Sequence, residues 1–360
     1  MARVGGMTYL DYQASTPLAP EARAAMLPWL DVAGSANPHS PHAPGRAAKA
    51  AIEVAREQVA TLLPPGGKVI FTGSATEALN FAIQGSKSSQ LAVSTLEHAA
   101  VLDTAHAVAQ VNELSVGSDG LVDPEVALPA GTQLVAVMQV NNEIGTVQPV
   151  ERLAERAQAI GALFLCDAVQ GGGKLAAPAG ADLIALSAHK LHGPKGIGAL
   201  WVRDGVALQP LIHGGGQEGG LRSGTISPAL CAGFGAAAAL AVAMREQDAA
   251  HVAALWAAAR EVLADWTLNG SADQRWLGNL NLRRDGLDVA RLISECRQIA
   301  FSAGSACASG SGRPSHVLRA IGLSDTQAKS SIRLGFGRYT GMDELVAACQ
   351  AIDAAAQAQE

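Results

Sequence analysis

The chain has 360 residues, 49% of them hydrophobic and only 16% charged, with a formal net charge of −6. That length and apolar content suit one large α/β unit with a smaller companion, because single cores stop growing at about 250–300 residues. They exclude wholesale disorder, and the acidic balance leaves no electrostatic footprint for nucleic acid.

The first residues, Met1 to Met7, lack the apolar core of a secretion signal. From about residue 45 to 205, short apolar runs alternate with helical stretches. Val69–Thr72, Leu91–Ser94, Leu134–Gln139, Leu163–Asp167, Leu183–Ser187 and Ala199–Val202 read as buried strands. Between them, Ala47–Leu63, Thr76–Gln84, Ala99–Gln110 and Val150–Ile160 carry apolar residues at helical spacing. This alternation predicts an α/β sheet, largely parallel, covered by helices on both faces. Ligands of such sheets bind where the loops leave the strand ends.

After about residue 228 the pattern changes. Pro228–Trp266 is alanine-rich and long enough to join two units as a helix; Gly270–Glu360 has α+β character and ends in an amphipathic helix at Met342–Gln357. The expected division is a large unit over 14–250, with 1–13 and 251–360 forming a small one. No apolar stretch is read as reaching the roughly 18 residues of a membrane span, so no membrane contact is expected. The five cysteines, Cys166, Cys231, Cys296, Cys307 and Cys349, are widely spaced and form no Cys-x-x-Cys pair. That argues against a disulfide framework or a zinc site, with no metal expected, and for a reducing cytoplasm. Cys166, Cys231 and Cys349 have apolar neighbours and read as core residues, while Cys296 falls in a helical stretch.

Of only seven lysines, two lie in Ser187-Ala188-His189-Lys190-Leu191-His192-Gly193-Pro194-Lys195-Gly196. Lys190 directly follows a strand end among small polar groups, where desolvation lowers an amine's pKa and makes a Schiff base possible. Lys195 sits after proline in a glycine-rich loop and is the poorer rigid mount. Asp167 closes another strand and either pairs with a pyridine nitrogen or caps a helix. Gln170, three residues on, is placed to hydrogen-bond the ring's phenolic oxygen. Gly73-Ser74-Ala75-Thr76-Glu77-Ala78 leaves a strand and opens a helix whose first N–H groups suit a phosphate. Gly171-Gly172-Gly173-Lys174 lacks the spacing of a nucleotide phosphate loop.

These pieces recur in one order with others: Tyr9-Leu10-Asp11-Tyr12, Asn37-Pro38, Glu97-His98, Asn141-Asn142-Glu143-Ile144-Gly145, Gly214-Gly215-Gly216-Gln217-Glu218, Arg222-Ser223-Gly224-Thr225, Gly304-Ser305-Ala306-Cys307 and Ser331-Ile332-Arg333. From about residue 8 to 340 the chain resembles the cysteine desulfurases, pyridoxal 5'-phosphate enzymes of the class V aminotransferase fold. The resemblance implies a fold type I transferase, with a large domain on a mainly parallel seven-stranded sheet and a smaller α+β domain. It implies that Lys190 carries the cofactor, Asp167 pairs with its ring nitrogen, Gln170 and Asn142 face the ring and phenolic oxygen, and His98 stacks on it. Ala75, Thr76, Ser187 and His189 hold the phosphate, while Thr225 reaches the phosphate of a neighbouring subunit, so a homodimer is implied. Asn37 and Arg333 bind the carboxylate of the substrate, L-cysteine.

Cys307 lies in a run of small residues where a thiol can move between a buried site and a partner. The resemblance makes it the cysteine that receives sulfur as a persulfide, with Lys190 as base at Cα and His98 as proton shuttle. The stretch from Cys307 to Ser315-His316-Val317-Leu318 has the longer spacing of the group serving iron–sulfur assembly and nitrogen fixation, which implies a sulfur-acceptor protein such as an iron–sulfur scaffold. Two departures stand out: Ser302-Ala303 replaces Ser-Ser, and the chain stops about twenty residues after Tyr339-Thr340, which puts scaffold docking there in question. A selenocysteine lyase or an aminotransferase of the same fold is the alternative.

Overall fold

A computed structural model describes residues 3–4, 6–304 and 314–359. Seven strands form the main sheet: β1 (Gly67–Thr72), β2 (Gln90–Ser94), β3 (Gln110–Leu114), β4 (Leu134–Ala136), β5 (Leu163–Asp167), β6 (Leu183–Ser187) and β7 (Gly198–Arg203), in the order β1-β7-β6-β5-β4-β2-β3. Neighbours from β3 through β6 pair in parallel. β7 runs antiparallel to both β6 and β1, so β1 points the same way as β6. The sheet is mainly parallel, as the alternation predicts.

Side chains on successive strand residues face opposite layers. Phe164 and Cys166 of β5 enter one core with Ile184 of β6; Leu165, Leu183 and Ala185 enter the other. Four helices cover these faces: α1 (Ala43–Ala60), α2 (Ala75–Gly85), α3 (Ala99–Val108) and α4 (Val150–Ala159). α1 and α4 bury Ile52, Val59 and Leu153 in the first core, and α2 and α3 bury Leu79, Phe81 and Val101 in the second. The helix expected to reach Gln110 instead ends at Val108, where Ala109 turns extended, and Gln110 starts β3. β3 is an edge strand bonded only to β2 and half exposed, so its polar sequence shows no buried run.

The long helix α5 (Pro228–Val262) buries Phe234, Ala237 and Ala241 in the first core and Val252, Leu255 and Ala259 in another. That further core covers a second sheet of β8 (Thr267–Leu268), β9 (Asn279–Arg283), β10 (Ser302–Ala303) and β11 (Ser331–Gly335), ordered β8-β9-β11-β10 and antiparallel throughout. Leu10 and helix α6 (Met342–Gln357) close it. The reading that no stretch is long and apolar enough to span is corrected: α5 holds an 18-residue window of mean hydropathy 1.5, though 44% of that window is buried inside the protein. Its alanines supply that apolarity, and here they allow close packing along α1.

Cys166, Cys231, Cys296 and Cys349 are free and buried. Cys296 caps the end of a short helix, Val289–Glu295, rather than lying inside it. Cys307 lies outside the described residues.

Phe234 is fully buried, with its ring 6.2 Å from that of Phe71. Phe234→Ala is expected to cost about 3–5 kcal/mol, read as a lower urea midpoint, whereas Val32→Ala, at a side chain 91% exposed, leaves the midpoint unchanged.

Candidate functional site

Because β1, β2, β4, β5 and β6 point the same way, their carboxyl ends share one edge of the sheet. A cleft of about 350 Å³ opens there, lined by Ala75, Thr76, His98, Asn142, Asp167, Gln170, Ser187, His189, Lys190 and Arg333. All ten were singled out from sequence.

One end of the cleft is the start of α2. Ser74 caps this helix in an extended conformation, and its Oγ accepts the N–H of Glu77. The first N–H groups of a helix have no intrahelical partner, so those of Ala75 and Thr76 are oriented for an anion. Gly198 of β7 backs this turn. A Cβ on it would stand 2.5 Å from the Ser74 carbonyl carbon and 2.7 Å from the Ala75 nitrogen. Ser187 and His189 enter from β6, and His189 Nδ1 lies 3.3 Å from Ser15 Oγ. Burial, then the charges of Lys190, Lys195 and Lys174, push His189 down to about 4, so it is neutral at pH 7.

Asp167 ends β5, and its Oδ1 accepts the N–H of Val169 at 2.9 Å. No helix follows: the next residues are turns, so the helix-cap alternative falls away. Burial raises the pKa of Asp167, opposed by that N–H, His98 and Lys190. Gln170 Nε2 donates to the Gln13 carbonyl at 3.0 Å, while its Oε1 is buried without a partner among the described residues. Lys190 follows β6 in a short turn and donates its amine to the carbonyls of Gln13 and Ala14. Lys195 is exposed and does not line the cleft.

His98 caps α3, and its Nδ1 accepts the N–H of Ala100 at 3.0 Å. In the neutral ring the proton therefore sits on Nε2. At the far end, Arg333 of β11 is 1% exposed. Its Nη2 meets Asp11 Oδ1 at 2.8 Å, its Nη1 donates to the Asn142 carbonyl at 3.1 Å, and its Nε is buried without a partner among the described residues. A carboxylate entering here shares a guanidinium already held by Asp11.

Asn37 and Thr225 do not line this cleft. Asn37 Oδ1 accepts the N–H of His39, and Thr225 is exposed. Both adjoin a second cleft of about 420 Å³, lined in part by Pro38, His39, Gln217 and Ile226.

Several residues of the site escaped the sequence reading. Gln13 and Ala14 hold Lys190 through backbone atoms, which carry no side-chain signal. Glu97, quoted only as part of a motif, is fully buried. Its Oε1 accepts Ser94 Oγ and the Met138 N–H, both at 2.8 Å, and its Oε2 has no partner among the described residues. Burial, then the charge of Asp167, raises Glu97 to about 8.

A carboxyl whose folded pKa exceeds its unfolded value binds more protons folded than unfolded, so stability falls as pH rises between the two values. For Glu97 that window runs from about 4.5 to about 8. Glu97→Gln removes the titration, so its stability relative to wild type is expected to climb across the window, by on the order of a few kcal/mol. Urea midpoints at pH 5, 6.5 and 8 test this; parallel profiles for the two proteins would contradict it.

The aminotransferase class-V family model matches residues 8–347. Cysteine desulfurase IscS of Rickettsia bellii is 41% identical, with 94% of this chain and 88% of that protein covered. Its counterpart from an Anaeromyxobacter species is 42% identical, covering 94% and 89%. Among solved structures, the NifS-like protein of Rickettsia africae superposes with a TM-score of 0.89 at 28% identity, over 97% of this chain and 99% of that one. SspA, solved in complex with cysteine, gives 0.82 at 36% identity over 93% and 100%. Fold, cleft and sequence match converge: this chain belongs to the class-V aminotransferase family.

Proposed function

We propose that this protein is a cysteine desulfurase, converting L-cysteine to L-alanine and passing the sulfur to Cys307 for delivery to an acceptor such as an iron–sulfur scaffold protein. The observation that carries this reading is the convergence of Lys190, Asp167, Gln170 and the start of α2 on one cleft, with Arg333 at its far end. The relatives named cysteine desulfurase support it over 94% of the chain.

The donor set fits pyridoxal 5'-phosphate. Ala75, Thr76, Ser187 and His189 would hold the phosphate, Asp167 the ring nitrogen, and the unpartnered Oε1 of Gln170 lies on the same wall as Asn142 and His98. When bound, this cofactor supplies a carbonyl that condenses with an amine and a ring that takes up electrons from a neighbouring carbon.

The chain's own groups do the rest. Lys190 Nζ, released from its cofactor role, takes the proton from the substrate's Cα. Arg333 binds the substrate carboxylate with two parallel donors, which fixes that Cα relative to Lys190. Cys307 as thiolate attacks the substrate sulfur: the S–S bond forms, the Cβ–S bond breaks, and its electron pair stays on the substrate carbon, which gains a proton on the way to alanine. His98 is the proton shuttle at the substrate thiol; to take that proton at Nε2 its ring must carry its own proton on Nδ1 and give up the Ala100 N–H.

A homodimer accounts for the two residues outside the cleft. Thr225 flanks a surface on which a second copy would take it to its own phosphate; Asn37, proposed as a substrate-carboxylate ligand, adjoins the same surface. A reducing cytoplasm is the proposed compartment, supported by the four free, buried cysteines.

Cys307→Ser is expected to bind cofactor and change colour with cysteine as wild type does, yet to make almost no alanine or sulfide, while Lys190→Ala loses the cofactor fixed by borohydride. Mass spectrometry after a cysteine pulse places one extra sulfur on the peptide containing Cys307. Extra sulfur elsewhere, or near wild-type turnover by Cys307→Ser, refutes the mechanism.

Mixing Lys190→Ala with Thr225→Ala protein tests the dimer. Heterodimers then hold one site with both lesions and one with neither, so partial activity returns. If no activity returns although sedimentation detects mixed dimers, Thr225 does not act across the interface.

A further inference from the structure

Glu143 takes no part in the reaction as described, yet it is a carboxyl only 2% exposed. It follows Asn142, which lines the cleft, and its N–H donates to Asn141 Oδ1 at 2.8 Å. Burying a carboxyl without strong partners is costly. Its partners therefore indicate what it is for.

Those partners lie at both ends of one segment. Ser315 Oγ donates to Glu143 Oε2 at 2.5 Å. The same Oγ accepts the N–H of Leu318 at 3.0 Å as cap of the helix His316–Ala320, and its own hydrogen goes to Glu143 whenever that carboxyl is ionised. On the other side, Asn281 Nδ2 donates to the Glu143 carbonyl at 3.0 Å and to the Gly304 carbonyl at 3.2 Å. Asn281 is fully buried and is held by Asn269, whose Nδ2 donates to its Oδ1 at 2.8 Å. Gly304 is itself pinned, its N–H donating to the Ser331 carbonyl at 2.7 Å. Gly304 and Ser315 bracket Cys307, which stands three residues after the first and eight before the second.

The same loop also faces the substrate. The Asn142 carbonyl accepts from Arg333, and Asn279 Nδ2 donates to the carbonyls of Asn142 and Glu143 at 3.3 and 3.1 Å. Asn142 and Glu143 thus join the guanidinium at the substrate end to both roots of the segment that carries the thiol, Gly304 through backbone and Ser315 through the Glu143 side chain.

We propose that Glu143 is a positioning residue for sulfur transfer, fixing through its carboxylate and its carbonyl the two roots, Ser315 and Gly304, of the Cys307 segment against the substrate side of the cleft. This rests on the desulfurase reading above. The carbonyl anchor belongs to the backbone and survives substitution, whereas the carboxylate anchor does not. Removing the side chain frees only the Ser315 root. Misplacing a reacting group by about 1 Å costs on the order of a hundredfold in rate, so the loss falls on the step made by Cys307 and spares those made by Lys190.

The test compares wild-type holoenzyme with Glu143→Ala, Glu143→Gln and Ser315→Ala. Each is scored for bound cofactor, for the half-saturating cysteine concentration of the colour change, for alanine formation, and for extra sulfur on the Cys307 peptide. Glu143→Ala and Ser315→Ala are expected to keep the first two and to lose about ten- to hundredfold in the last two. The double variant should lose no more than Ser315→Ala alone, because the bond that Glu143→Ala removes is already gone there. Glu143→Gln, whose amide oxygen still accepts from Ser315, recovers much of the rate. Should Glu143→Ala fail to fold, Ser315→Ala and Glu143→Gln carry the comparison. Colour change and sulfur transfer falling together in every variant would make Glu143 merely structural and overturn the proposal, as would unchanged sulfur transfer. If wild type itself makes no alanine and gains no sulfur, the desulfurase reading fails, and the positioning role with it.

Discussion

Asp167 is a carboxylate held at the end of a central strand with almost no access to water, and the surrounding chain is arranged to tolerate it. Moving an isolated carboxylate into such a place costs so much that the group would simply take up a proton. Here one N–H, from Val169, and the neighbouring His98 and Lys190 oppose that tendency. Glu97 stands close enough to feel the charge of Asp167, and burial together with that charge keeps Glu97 protonated up to about 8. A cation brought against Asp167 would therefore favour its ionised form.

The positions of these groups follow from strand direction. A parallel strand can deliver a side chain to the cleft only from its carboxyl end. β2 leads to Glu97 and His98, β4 to Met138 and Asn142, β5 to Asp167, and β6 to Ser187 and Lys190. The one strand that breaks the pattern, β7, starts at this edge instead of ending there. Its first residue, Gly198, lies between Thr72 and Ser187 in the pairing, where the absence of a side chain lets α2 begin directly against the sheet.

The sequence announces what depends on local order. Buried strands such as Leu163–Asp167 and Leu183–Ser187 are legible to the residue because every side chain in them is apolar or closes the strand. That Lys190 lines the cleft while Lys195 is exposed is legible too, since one follows a strand end and the other sits in a glycine-rich turn. What depends on distant parts of the chain is not. Gln13 and Ala14 meet Lys190 across 177 and 176 residues, through carbonyls that every amino acid possesses. Gln110 looks like the last residue of a helix, and Gln110–Leu114 shows no buried run, because an edge strand has one side open to water. For α5, apolarity reads below a membrane threshold by eye because alanine contributes little per residue and much in sum.

The N-terminal segment gives these distant contacts a common purpose. The Leu10 carbonyl and the Tyr12 N–H bond Gly335 of β11, and Gln13 Nε2 donates to the Gly278 carbonyl just before β9. From the other side, the Gln13 carbonyl accepts from both Lys190 and Gln170, and Thr16 bonds the His189 carbonyl. Asp11, in the same few residues, holds Arg333. One short stretch thus fixes the Lys190 amine and the Arg333 guanidinium of the cleft relative to each other. The small sheet cannot shift against the large one without disturbing both. The proposed reaction, with a substrate's Cα presented to Lys190 and its carboxylate to Arg333, would demand that coupling, and no single strand or helix of the fold could supply it.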